Sequence, residues 1–549
     1  MNEEDIEILS TSQVLQEVEN VVRRFNTKND AIFTFPTLTK NNKLVVWTAI
    51  FQHLQRQEFE SIHNICLSAA RILSRDKCDL DQLFCEKWIN ILVEKAGLNN
   101  YVDFEDISEQ SKDLLKKEIA LEALKCLCNS TFNSEVARSL CAHTSVAQAL
   151  IGRLRVYKDV PYKDEIMLYD MKLLFILTAF RPDIKKKVNC ELHGMDYLIS
   201  CLNELLKEAM LVTDDTSEAE NGNLFKGRNH PFLQDNQQAI ACEILKVQFN
   251  LIMSPEQLGD CDEAMYLKLM PVLSTLLCAS TTNETKLMDL RSNVGNLLTS
   301  VPSKFYKELT PILGKDEECL YEYDGRNMDA LQALVELLNY RLSALSTTER
   351  QFDELSPIMS VMLKSVRACH THRKYLRQVV LPPLRDVSSP PEKGDTLRNM
   401  LCRLLTTPVT NVRDLVAEFI FILCKEKVGR MVKYTGFGNA AGHLAQKGLL
   451  GGGRGADYSS SSDDSDTEEY RDAQPHIDPV VGCTRPPRPN PLEGMTEEQK
   501  EYEAMKLVNL FDKMVSSGVV KPARVGADGR PEPVEHVLQL RDAPTRPQS

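Results

Sequence analysis

Segment after segment of this chain is too apolar for a helix standing alone in water. The runs IHNICLSAARILSRD, IALEALKCLCNSTFNS, YDMKLLFILTAFRPD, ACEILKVQFNLIMS and RDLVAEFIFILCKEK keep apolar residues at three-and-four spacing, the period of an α-helix. They leave too few polar positions for a solvent-facing side, so each must be covered by other helices. The spacing continues from about Thr11 to Arg430 between short polar loops, and strand-like alternation is scarce. The class is all-α.

Two of these helices share a spelled pattern. Glu122-x-Leu124-Lys125-x-x-x-Asn129 returns as Glu243-x-Leu245-Lys246-x-x-x-Asn250. Irregular self-similarity between buried helices is the sequence mark of an armadillo or HEAT-like solenoid, in which each unit buries its apolar face against its neighbours. A large irregular α-domain with coincidental similarity is the alternative.

The 549 residues suffice for several domains or one long repeat array, and 43% hydrophobic content can fill a large core. The acidic start, MNEEDIEI, does not read as a leader, and no apolar run reaches the roughly 18–20 residues that span a bilayer. A soluble cytoplasmic protein is expected. The net charge of -13 argues against nucleic acid as the main partner. Cysteines such as Cys126, Cys128, Cys242, Cys402 and Cys424 sit inside apolar helical patterns, without Cys-x-x-Cys or clustered Cys/His spacing. They read as reduced core residues, not as disulfides or metal ligands.

The solenoid is expected over residues 1–430, broken by polar residues 211–235 and by LPPLRDVSSPPEKGD (Leu381–Asp395), whose prolines bar helix. A Gly/Ser/acidic and Pro-rich linker is expected over 431–491, then one helix within 492–520. Its start is the capping-box pattern at Thr496 and Gln499, and Ala504, Leu507, Val508, Phe511 and Met514 form its apolar face. A disordered tail is expected over 521–549.

Catalytic patterns are missing. Gly436-Phe-Gly438-Asn-Ala-Ala-Gly442 is one residue too long for the dinucleotide fingerprint and follows a helix where a buried strand is required. It reads as a helix terminator followed by a short helix over Ala440–Gln446. Neither H-E-x-x-H nor Gly-x-Ser-x-Gly occurs. No catalytic site, metal or cofactor is expected. Polar residues embedded in the most apolar helices are more telling: Arg71, Arg75, Asn129, Lys172, Lys246 and Asn250. In a solenoid, one side of each inner helix lines a groove, where basic and amide groups suit a peptide with a free carboxylate. The competing reading is snorkelling stems and satisfied caps. Import-type grooves instead carry Trp-x-x-x-Asn ladders, whereas Trp47 and Trp88 are followed four residues on by Phe51 and Leu92.

Six strings carry a family resemblance. RILSRD (Arg71–Asp76), LKCLCN (Leu124–Asn129), VLPPLRDV (Val380–Val387), AEFIFILCKE (Ala417–Glu426), KYTGFGNAAG (Lys433–Gly442) and EGMTEEQKEYEAMKLV (Glu493–Val508) closely resemble the synembryn family, named for resistance to inhibitors of cholinesterase. The resemblance runs in order from near residue 30 to about residue 515. It implies an armadillo/HEAT-like right-handed superhelical solenoid with a flexible C-terminal extension. It implies a cytosolic chaperone and guanine-nucleotide exchange factor for heterotrimeric G-protein alpha subunits, GDP-bound, nascent or nucleotide-free. Through that partner the chain would reach the cell cortex or plasma membrane. The concave face would capture the alpha subunit's C-terminal helix, and the C-terminal segment, with Leu507, Val508 and Phe511, would hold its GTPase domain. An armadillo scaffold without exchange activity is the alternative. The serine-acid run looks like an acidophilic-kinase site: Ser460, Ser461 and Ser465 precede Asp463, Asp464 and Glu468 by three residues.

Overall fold

The computed structural model describes all residues except 103–115, 211–229, 253–260, 315–317, 346, 452–465, 486–491, 493, 527 and 535–549. Two compact units divide the chain, Met1–Pro311 and Ile312–Ser549.

The first unit is built from α1 (Glu3–Thr11), α2 (Leu15–Asn29), α3 (Lys40–Leu54), α4 (His63–Leu73), α5 (Glu86–Lys95), α6 (Lys117–Asn133), α7 (Glu135–His143), α8 (Val146–Arg155), α9 (Lys163–Phe180), α10 (Pro182–Lys186), α11 (Gly194–Met210), α12 (Asp235–Ile252), α13 (Cys261–Cys278) and α14 (Glu284–Ser300). One row runs through it. Helix α2 packs on α4, α4 on α6, α6 on α9, α9 on α12 and α12 on α14, while α3, α5, α7, α11 and α13 flank that row. Each helix of the row meets the one before and the one after, which is how a solenoid buries faces that no isolated repeat could cover. Four of the five apolar runs therefore supply the row itself, as α4, α6, α9 and α12, and the fifth forms a helix of the second unit. Trp47 is fully buried, with its ring 4.9 Å from Phe51, and Trp88 packs 5.2 Å from the same Phe51. Trp47 serves the interior, and Trp88 lies half-buried at its edge.

Ion pairs lie within this core. Arg153 reaches Asp170 at 3.1 Å with both side chains fully buried, and donates to the Ala96 carbonyl at 2.7 Å. Lys43 pairs with Asp76 at 2.7 Å. Burial raises the Asp76 carboxyl, but hydrogen bonds from Lys43, Cys78 and Phe35 outweigh it and hold the group below its ordinary value. The cysteines named above are buried, and no disulfide joins them. Burial pushes the thiols of Cys126, Cys242 and Cys402 up to about 12, so they stay neutral.

The second unit holds α15 (Asp329–Ala344), α16 (Gln351–Ala368), α17 (His370–Val380), α18 (Leu397–Leu404), α19 (Thr410–Leu423), α20 (Val428–Thr435), α21 (Phe437–Gln446), α22 (Glu468–Ala473) and α23 (Glu497–Ser516). Helix α16 packs on α15, α17 and α19, and α19 on α18, α20 and α21. Regular structure thus continues past Arg430. The described part of the stretch expected to be a linker holds α20 to α22 and the strand pair Ile477–Asp478 with Cys483–Thr484. The physical reason lies in anchors that composition conceals: Met431, Tyr434, Ala440, Leu444, Tyr470 and Cys483 are all buried.

Glycine allows that closure. Gly436 ends α20 at φ 75°, and a Cβ there would stand 2.9 Å from the Val481 carbonyl oxygen; Gly482 (φ 77°) packs directly against Gly436. The amides of Phe437 and Gly438 donate to the carbonyls of Pro479 and Val480, both at 2.9 Å. The glycine stretch is a site of close backbone approach. Asn439 adds a bond to Glu392 at 3.0 Å, and the Thr484 amide donates to Val387 at 2.8 Å, tying the segment to the proline loop. Beyond Lys521, Ala523–Val525 pairs with Pro531–Pro533, and Leu450 donates to Gly529 at 3.2 Å. A hairpin thus occupies part of the tail expected to lack fixed structure.

Candidate partner-binding site

Four neighbouring helices of the first row, α4, α6, α9 and α12, carry the six polar positions singled out by sequence. Arg71 lies in the last turn of α4 and Arg75 just beyond it, where cations complement the negative end of a helix. Arg71 Nε donates to Glu122 at 2.7 Å, and a second nitrogen reaches Asp30 at 3.5 Å. Arg75 donates to the Asp30 carbonyl and lies over the Phe33 ring, 5.3 Å from its centroid. Lys172 on α9 and Lys125 on α6 lie 5.2 and 5.5 Å from the centroid of the half-buried Tyr169.

The repeated pattern proves to be one device used twice. Lys125 pairs with Glu122, and Lys246 with Glu243, both at 2.9 Å one helical turn apart. Asn129 Nδ2 then donates to the Arg71 carbonyl of α4, and Asn250 Nδ2 to the Phe175 carbonyl of α9, each at 3.1 Å. In both cases an amide seven residues after the glutamate ties its helix to the preceding helix of the row. Asn133 repeats the contact on the Ser74 carbonyl at 3.0 Å.

Charge along this row is unevenly satisfied. Burial raises Glu122, but Lys125, Ser68 and Arg71 hydrogen-bond it and hold it below the ordinary carboxylate value. Burial disfavours charge on Arg71, and Glu122 with Asp30 outweighs it and pushes that pKa up. Arg75 shifts the other way, downward, through burial and the charge of Arg71. A carboxylate arriving beside Arg75 would relieve that repulsion. The structure brings five of the six residues onto neighbouring helices of the row and Arg75 just past the end of α4. It also adds Glu122, Glu243 and Tyr169, which the sequence reading passed over. The two glutamates were visible as part of the repeat, whereas the tyrosine gives no signal until α6 and α9 are packed.

The second predicted contact is separate. Helix α23 begins with the expected capping box at Thr496 and Gln499, and none of its residues is buried. Leu507 is 56% exposed, and Val508 and Phe511 are partly exposed. Ser460, Ser461 and Ser465 lie outside the described residues. Just after them, Asp466 pairs with Lys433, whose ammonium lies 4.2 Å from the centroid of Tyr470, and Thr467 donates to the Leu384 carbonyl beside Arg385.

Among the described residues no His/Cys/Asp/Glu group is arranged to hold a metal ion. No described helix is long and apolar enough to cross a membrane. Comparison with known proteins follows the same chain length. The Chaperone Ric-8A of Xenopus tropicalis is 38% identical over 95% of this chain and 94% of its own. The Chaperone Ric-8 of Drosophila pseudoobscura pseudoobscura is 36% identical over 96% and 95%. The mouse Chaperone Ric-8A is 36% identical over 96% and 93%. Residues 66–530 match the family described as "Guanine nucleotide exchange factor synembryn". That span begins in α4 and runs past α23, so both candidate contacts fall within it, and the chain belongs to the guanine nucleotide exchange factor synembryn family.

Proposed function

We propose that this chain is a chaperone and guanine-nucleotide exchange factor for heterotrimeric G-protein alpha subunits. The observation that carries this reading is the row of guanidinium, ammonium and amide groups along α4, α6, α9 and α12, in a chain of this family. Arg71, Arg75, Asn129, Lys172, Lys246 and Asn250 bind the alpha subunit's C-terminal helix, with Arg75 receiving its terminal carboxylate. The exposed face of α23, with Leu507, Val508 and Phe511, holds the GTPase domain.

Exchange then needs no chemical active site. Holding the last helix away from its own domain loosens the loops around the guanine ring, and preferential binding of the nucleotide-free form drives GDP out. By linkage, GTP binding to the alpha subunit weakens this complex and releases it. Nascent alpha subunits bind through the same two contacts, and the work is done in the cytoplasm, with recruitment to the cell cortex through the client. An acidophilic kinase acts on Ser460, Ser461 and Ser465. The bond from Thr467 to Leu384 supports a docking place for those phosphates at the proline loop, near Arg373, Lys374 and Arg385. Arg377, on the same helix as Arg373 and Lys374, is only 7% exposed and stays out of that group.

GDP release from a purified alpha subunit, measured with and without this chain, tests the reading. Faster release together with a nucleotide-free complex that GTP dissociates is the expected result. Equal rates and no such complex would leave a scaffold without exchange activity.

A further inference from the structure

An adjoining surface lies at the C-terminal ends of the same inner helices. Phe33, Phe132 and Phe180 are 65%, 54% and 51% exposed. Phe132 closes α6 and Phe180 closes α9, and their rings meet edge to face with centroids 6.4 Å apart. Large apolar rings left this open are costly unless something covers them.

Each ring has a cation over it. Arg75 lies 5.3 Å from the Phe33 centroid, Lys77 5.5 Å from Phe132 and Arg138 4.6 Å from Phe180. Arg138 is held in place by the carbonyls of Thr131 and Phe132, at 2.8 and 3.1 Å, so α6 presents ring and cation together. Beside Phe180 is an open groove of roughly 440 Å³ lined by Glu135, Arg138, Phe180, Arg181, Pro182 and Asp183. Asp183 accepts two hydrogen bonds from Arg181, from Nε at 2.9 Å and from Nη2 at 2.8 Å. Glu135 is the carboxylate that opposes an incoming acid.

We propose that Phe132, Phe180, Lys77 and Arg138 form a docking surface for an acidic peptide segment of a partner protein, in which bulky apolar side chains are flanked by carboxylates. The apolar side chain covers the two rings, and the flanking carboxylates take Lys77 on one side and Arg138 on the other. Charge complementarity selects this occupant: a cation lies over each of these three exposed rings in a chain whose net charge is -13, so an acidic segment is attracted here and repelled elsewhere. The assignment does not rest on the proposed exchange function.

The probe is a fluorescein-labelled peptide with a pair of phenylalanines flanked on both sides by glutamates, titrated into the full chain. Binding should weaken by about tenfold or more in Phe132→Ala/Phe180→Ala. Lys77→Gln, a change at an exposed side chain that leaves the fold undisturbed, should weaken it less, and Glu135→Gln should tighten it. An all-glutamate peptide should bind poorly. Unaltered affinity in both the phenylalanine and lysine variants overturns the proposal. So does equal binding of the all-glutamate peptide. Self-association of the chain lost in the same variants would hand the surface to a second copy. Binding of phosphatidylserine vesicles in place of the peptide would make it a membrane face. Tighter probe binding after deletion of Ser459–Ser465 would assign it to the chain's own acidic run. Each of these three results also overturns a partner-protein occupant.

Discussion

Asn129 and Asn250 perform the same task on two different helix pairs, each donating to a backbone carbonyl of the preceding inner helix. Asn129 can therefore contribute to a partner only in part, because one donor already holds the row together, and Asn250 contributes less still, since its Nδ2 also donates to Thr178 Oγ1 at 3.1 Å. Arg75 is different, since it is bonded to a backbone carbonyl and lowered in pKa by a neighbouring cation. A charge-assisted bond to a carboxylate contributes roughly 1.5–3 kcal/mol. Arg75→Ala should weaken binding of a peptide carrying an alpha subunit's C-terminus by about tenfold or more, read by fluorescence anisotropy. An unchanged affinity would make Arg75 a structural residue. His372 offers a second test at this scale. It is buried in α17, its Nδ1 lies 2.8 Å from the Ser365 hydroxyl, and burial, with Arg326 nearby, lowers it to about 4. Because the unfolded chain protonates this imidazole near its ordinary value of about 6.5, the folded state binds fewer protons between the two values. Its contribution to stability is complete above the upper value and is lost as pH falls toward the lower one. From pH 7 to pH 5 the loss should be about 2 kcal/mol. His372→Asn keeps an acceptor for Ser365 and should flatten that part of the denaturation profile; a profile as steep as the parent's would exclude His372 as the source.

Single elements differ in how they are held. The inner helices are buried on most sides, and the segment Asp466–Thr484 is fixed by Tyr470, Cys483 and backbone bonds to Phe437, Gly438 and Val387. Helix α23 has a capping box at its start but no buried residue, so its order rests on local terms. Replacing Leu507, Val508 and Phe511 together by serine should leave C-terminal peptide binding intact and abolish acceleration of GDP release. Retained acceleration would mean that α23 is no second contact. Circular dichroism of the variant would check that helix content is preserved.

At the scale of the molecule, each unit is a set of helices packed on their chain neighbours, so stability and binding surface are both spread over many repeats. Phosphates on Ser460 and Ser465 would each add about -1.5 to -2 charges to an acidic run. Such charge is accommodated only against a basic surface, and Asp466 and Thr467 already lead toward Lys433 and Leu384. Treatment with an acidophilic kinase should protect amides around 373–385 from hydrogen exchange and raise the GDP-release rate, with neither change in Ser460→Ala/Ser465→Ala. Absence of both effects in the phosphorylated parent would reduce the run to a solvated segment.

The amino-acid sequence by itself determined the all-α class, the stacked inner helices, the burial of the helix-borne cysteines and the capped start of α23. Those properties follow from short-range periodicity and from the apolar content of single helices, which need no knowledge of neighbours. The repeat Glu-x-Leu-Lys-x-x-x-Asn was likewise legible as a pattern. Only the tertiary structure decided what the pattern does, because the carbonyl that Asn129 bonds lies 58 residues away in the chain. The same holds for Tyr169 between two lysines, for Phe132 against Phe180, and for Gly436 against Val481. The stretch after Arg430 reads as a linker because glycine, serine and proline dominate its composition. Its few apolar residues are anchors, and an anchor becomes recognisable only when the surface that receives it, here the proline loop and α20, has been folded into place.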